Sequence, residues 1–150
     1  MGGPLCWWCM KILESPIYVL WCTILLHLIA DYNLQGILAN LKQKRWWTDQ
    51  LAKLPEPVLL EIVTKYKIDP YRHDYIVGLI CHSLMWSILT FSPFAFIVSP
   101  KVYSIAVIIN TIIHAYIDDL KANKLSINLI VDQLAHLVQI LATGLILYKI

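Results

Sequence analysis

Apolar residues run along this chain in four long blocks, each broken by a few polar residues at helical spacing. The blocks cover about residues 16–41, 75–98, 102–120 and 125–148. Each is close to or above the roughly 20 residues that one membrane crossing needs. Asp31 is the only acidic residue of the first block, and His82 the only titratable histidine of the second. The third runs into Asp118 and Asp119, and the fourth carries Asp132 and His136 before its aromatic end. "SPK" at 99–101 and "KANK" at 121–124 are short connections, which make blocks two, three and four antiparallel neighbours. Pro93 should kink the second block or end its regular part.

The pattern therefore predicts an all-α fold, an integral membrane bundle of four transmembrane helices forming one domain over residues 1–150. Residues 42–74 differ, with seven Lys or Arg and five Asp or Glu. In "KRWW" two tryptophans stand beside cations, a mixture suited to headgroup level, and "EPVLLEIVTKYKI" can lie flat as an amphipathic helix. Interfacial helices are expected between spans one and two.

Composition agrees on the solvent. The chain is 59% hydrophobic and 15% charged, against about 45–50% apolar for a soluble domain, and its mean hydropathy is +0.64. A net charge of +2, with no basic run, sets nucleic acid aside as a partner and leaves the lipid bilayer. Counting Lys and Arg places nine on the side of the 42–74 segment and the "KANK" turn, against Lys11, Lys101 and Lys149 on the other. The positive-inside rule then puts both termini outside a cytoplasmic membrane.

Against this background the polar residues form a constellation. Residues four apart share a helix face, so His27 with Asp31, His114 with Asp118, and Asp132 with His136 each present an imidazole beside a carboxylate. Span two adds His82. Gln35, Asn110 and Asn128 extend the stripes at the same interval. By position along the spans, all seven imidazoles and carboxylates fall towards the cytoplasmic side, and ionisable residues inside a span normally face the bundle interior or a water cavity. Four imidazoles and three carboxylates suit Zn, Mn or Fe, and seven ligands suffice for two ions with a bridging carboxylate. Taken alone, His82 would read as a histidine hydrogen-bonded across helices. The same residues without metal would form a hydrogen-bonded network.

Bound metal would activate water beside the inner leaflet. Lys42, Arg45, Lys121 and Lys124 stand there as candidates to hold a phosphate or anionic headgroup, and Gln35 and Gln133 as groups that orient substrate. This reads as a metal-dependent hydrolase acting on a lipid-linked or membrane-proximal phosphoester or similar bond, with Gln35, Gln133 and Lys121 in its active site. Two rivals use the same residues differently: a divalent-cation or proton transporter, and a phage-type holin-like or exclusion effector whose polar stripes only direct assembly.

"HLIADYNLQ" at 27–35, the histidine of "CHSLMW", "HAYIDDLK" at 114–121 and "DQLAHL" at 132–137 together resemble the small membrane proteins of bacteria and phages grouped as the domain-of-unknown-function family numbered thirty-three zero seven. The resemblance covers about residues 17–148. It implies a multi-pass bacterial inner-membrane protein and carries over to His27, Asp31, Gln35, His82, His114, Asp118, Lys121, Asp132, Gln133 and His136. A looser, fold-level likeness is to membrane-bound metal-dependent hydrolases. Residues 1–9 lie outside the pattern, and Met10 resembles a family start. Cys6 and Cys9 form a CxxC with no second pair to complete a zinc site, Cys22 and Cys81 are isolated in apolar spans, Cys81 reads as a packing residue, and His73 as a solvated interfacial histidine.

Overall fold

The computed structural model describes residues 15–66 and 71–150. Cys6, Cys9 and Met10 lie outside the described residues. Everything described is helix, turn or loop, without a strand.

Helix α1, Pro16–Leu28, starts with proline at a first-turn position, where its missing N–H costs nothing. It continues into a π-helical turn, Ile29–Asn33. The chain then reverses through Gly36, whose φ of 47° is left-handed and favours glycine. Three short helices follow: α2 (Leu38–Leu41), α3 (Lys44–Leu51) and α4 (Glu56–Tyr66). Helix α5 spans Asp74–Thr90, and Pro93 sits in the 3₁₀ turn Ser92–Phe96 that follows it. Helix α6, Pro100–Ala122, is capped by Ser99, whose hydroxyl accepts from the Val102 N–H; α7, Leu129–Lys149, is capped by Asn128, whose carboxamide oxygen accepts from the Val131 N–H.

The two ends of the expected bundle differ in how well they match the sequence blocks. α6 and α7 are long and apolar enough to cross a membrane, with mean hydropathies of 1.3 and 1.6 over their most apolar stretches. The block at 16–41 is not one helix, because the π turn and Gly36 interrupt it. The block at 75–98 gives a helix of only 17 residues, ended by Phe91 and the Pro93 turn. The 42–74 segment is helical as expected, and divided into separate short helices.

Helix α5 packs most extensively on α6, α6 on α7, and α1 on both α5 and α7, closing a ring of four antiparallel helices. The buried positions repeat at intervals of about four: Val19, Thr23 and His27 on α1; Asn110, His114 and Asp118 on α6; Asp132, His136 and Ile140 on α7. What those stripes bury is unusual. Among the described residues thirteen polar side chains are buried against ten hydrophobic ones, while Trp21, Leu25, Ile80, Ile108, Ile112, Val138 and Leu145 stand exposed. At the end away from the polar stripes, Val19, Trp86, Phe91, Phe94, Ile140 and Leu147 close the bundle with an apolar core.

Candidate metal centre

The second half of α1, the first half of α5, the second half of α6 and the first half of α7 meet at one end of the bundle, and each brings its stripe there. His27, His82, His114, Asp118, Asp132 and His136 are all at most 3% exposed, and Asp31 is 9% exposed. His27 and His136, on the first and last of these helices, have ring centroids 5.8 Å apart.

The site is layered. Its floor is Trp86, whose indole N–H donates to His27 Nδ1 at 2.9 Å and whose ring stacks on His114 at 4.0 Å. His114 in turn stacks on His136 at 4.1 Å. Above the rings, nitrogen and oxygen atoms converge. His82 Nε2 lies 3.2 Å from His114 Nε2 and 3.2 Å from Asp118 Oδ2. His114 Nε2 is 3.7 Å from that same oxygen. The other Asp118 oxygen is 3.5 Å from His136 Nε2, which is also 3.5 Å from Asp132 Oδ1. Asp31 Oδ1 stands 3.8 Å from His82 Nε2.

Only a proton or a cation can hold such lone pairs together. One imidazole N–H can bridge two of the atoms, and His82 Nε2 stands at equal distance from an imidazole nitrogen and a carboxylate oxygen. Two ligands bound at about 2.0–2.1 Å in tetrahedral array would be about 3.3 Å apart, which is the spacing seen around His82 and Asp118. Two groups that share His114 could hold an ion: Asp31, His82 and His114, or His114, Asp118 and His136, with ligand atoms within 4.8 Å of one another in each group. Asp132 Oδ1 and His136 Nε2 are buried without a hydrogen-bond partner, the condition in which a buried polar atom is most costly. The Nδ1 atoms of His82, His114 and His136 also lack partners among the described residues, so the outer hydrogen bonds that usually orient metal-bound histidines are missing here.

Above the carboxylates come the cations and amides. Lys42 Nζ donates to Asp118 Oδ2 at 2.7 Å, and Lys121 Nζ to Asp132 Oδ2 at 2.6 Å. Gln35 donates to Asp31 at 3.3 Å, and Gln133 donates to both Asp31 and Asp132. These groups line a pocket of about 410 Å³, whose other walls include Tyr32, Ala39, Leu125 and Leu129.

Several residues fall where their spacing did not place them. His27 and Asp132 belong to neither ligand group, and His27 Nδ1 is taken by Trp86. Asn110 forms a separate cluster further along the bundle, accepting from Gln139 at 2.9 Å and Thr143 at 3.0 Å. Asn128 is the α7 cap. Arg45 pairs with Asp49 on the surface, Lys124 pairs with Asp119, and His73 is exposed. Cys22 and Cys81 are exposed on the outer face rather than packed inside. Trp86 was missed, since nothing distinguishes a tryptophan of an apolar block from packing.

The sequence does hold the signal for Lys42, a cation just past a glycine-broken helix, and the structure shows how it is aimed. Asn123, at the end of α6, donates to the Lys42 carbonyl at 3.1 Å and accepts the Lys44 N–H at 2.8 Å. On the other side Gly78 of α5 lies so close to Leu41 that an added Cβ would sit 2.6 Å from its backbone.

No family model, curated protein or solved structure matches this chain. The functional reading therefore rests on these residues and their geometry.

Proposed function

We propose that this chain is a multi-pass protein of a bacterial cytoplasmic membrane, built as a four-span bundle, and that it is a metal-dependent hydrolase working at the inner face. The membrane reading is supported by the inverted distribution of residues, polar inside and large aliphatics outside, which lipid accommodates and water does not. α1 with its π turn and α5 have 18 and 17 helical residues, enough for roughly 25 Å each, a little short of the usual hydrocarbon thickness of about 30 Å. A shorter span is met by local thinning or by flanking residues that reach the interface. The Trp46 and Trp47 pair beside Lys44 is suited to that interface.

The observation that carries the catalytic reading is the convergence of His82, His114 and His136 on the two oxygens of Asp118. An imidazole nitrogen has one lone pair, so His114 serves a single ion. Asp118, with one oxygen beside His82 and the other beside His136, would be the residue shared if a second ion were held. An ion held by three of these residues would supply a bound water with its pKa brought to about 7. The hydroxide it gives would supply the nucleophile for hydrolysis of an ester bond, the leaving oxygen departing as an alcohol with a proton from water. Gln35 and Gln133 are placed to orient the substrate.

The apolar core behind Trp86 argues against a path for ions through the bundle. Metal-loaded protein in lipid nanodiscs, offered ester-bearing amphiphiles, is expected to release alcohol product, and Asp118→Asn to abolish that release. Metal flux into liposomes without hydrolysis by the same preparation would replace the hydrolase with a transporter.

A further inference from the structure

Lys42 and Lys121 occupy an odd position. Each is bonded to a carboxylate of the buried cluster: Lys42, at 2.7 Å, to Asp118 of one ligand group, and Lys121, at 2.6 Å, to Asp132, whose other oxygen faces His136 at 3.5 Å. The carboxylates are nearly inaccessible, at 4% and 1% side-chain exposure, whereas the lysines are 12% and 35% exposed and line the pocket. Lys42 shares Asp118 Oδ2 with His82, so a cation at that oxygen competes with the lysine directly, whereas Lys121 holds Asp132 Oδ2 and the oxygen that faces His136 is Oδ1. A cation at either carboxylate draws on the charge that holds its lysine and so weakens the lysine's hold.

We propose that the pocket is a phosphate-binding site assembled by this exchange: metal takes the carboxylates, and the released Lys42 and Lys121 clamp the phosphate of the substrate. The inference rests on the metal reading above and names the substrate class of that site. Three features select phosphate. The two ammonium groups come from different elements, Lys42 from the segment after α2 and Lys121 from the last turn of α6, and both line the pocket, which suits an anion with several oxygens. The amides of Gln35, Gln43 and Gln133 add neutral donors on the pocket wall. The volume of about 410 Å³ accommodates a small ligand. Tyr32, Ala39, Leu125 and Leu129 give the same pocket apolar walls, suited to a phosphate carried on an amphiphile.

The exchange makes one variant change two affinities in opposite directions. In Lys42→Gln/Lys121→Gln, metal loses its internal competitors while phosphate loses its clamp. The test uses full-length protein in nanodiscs, with Mn²⁺ and then inorganic phosphate titrated calorimetrically. The variant is expected to bind Mn²⁺ at least as tightly as the wild type, and phosphate at least about tenfold more weakly. Displacement of phosphate by vesicles containing a phosphomonoester lipid, and not by phosphatidylcholine vesicles, assigns the ligand to a lipid headgroup; failure of both to displace it assigns a soluble phosphate compound. Equal phosphate affinity in the two proteins overturns the clamp, as does metal uptake with no phosphate binding. Weaker Mn²⁺ binding by the variant overturns the exchange. A wild-type protein that takes up no metal overturns the reading on which the inference rests, and the inference with it.

Discussion

At the scale of single residues, the tryptophan beneath the histidines separates the supporting groups from the proposed ligands. Trp86 donates to His27 Nδ1 in a fully buried setting, and His27 is outside both ligand groups. Replacing Trp86 with Phe keeps a ring against His114 and leaves a buried acceptor unpaired, at a cost of about 1–3 kcal/mol. Thermal unfolding in detergent is expected to show that loss while metal stoichiometry stays the same. Unchanged unfolding would mean that the hydrogen bond is not made in the protein. The i, i+4 spacing revealed which side chains share a face, because helical geometry alone sets that. It could not tell His27 from its neighbours, since which nitrogen meets which partner depends on rings supplied by other helices.

At the scale of elements, the approach of α2 to α5 decides where Lys42 points. An alanine Cβ at Gly78 would fall 2.6 Å from both the carbonyl carbon and oxygen of Leu41, atoms that cannot rotate away as a side chain would. Gly78→Ala is expected to push α2 outwards, to cost about 1–3 kcal/mol of overpacking strain, and to raise the labelling of Lys42 by an amine-reactive reagent, read by peptide mass spectrometry. Labelling no faster than in the wild type would show that this close approach does not seat the lysine. The periodic pattern made α6 and α7 legible, but not their caps at Ser99 and Asn128, the second of which reads from sequence as part of the polar stripe. It also marked Pro93 as the limit of α5. The pattern ran α1 on to Leu41 because the residues from Ile29 to Leu41 remain mostly apolar, and hydropathy does not register a π turn or the left-handed φ at Gly36. The π turn carries Asp31 itself, and such turns are frequent at functional sites.

At the scale of the whole molecule, the inverted distribution is what makes the membrane the expected solvent. Cys22 and Cys81 lie exposed on the outer faces of α1 and α5. In a Cys6→Ser/Cys9→Ser background, both should resist a membrane-impermeant maleimide in intact vesicles and react after denaturation. Rapid labelling in intact vesicles would place these faces in water and remove the four-span reading. Composition and periodicity foretold an all-helical chain whose polar stripes meet, because lipid penalises any other orientation of Asp and His. They could not foretell that Lys42 folds down onto Asp118, since that closure depends on how Asn123 and Gly78 dock the surface segment.

The central claim is that these buried imidazoles and carboxylates hold metal. It is tested most directly by the metal content of detergent-purified protein, measured by mass spectrometry beside a His114→Ala/His136→Ala variant whose helical circular dichroism is retained. The expected result is one or two equivalents of Zn, Mn or Fe in the wild type, lost in the variant. No metal in the wild type after reconstitution with each ion would contradict the claim and leave a hydrogen-bonded bundle in its place.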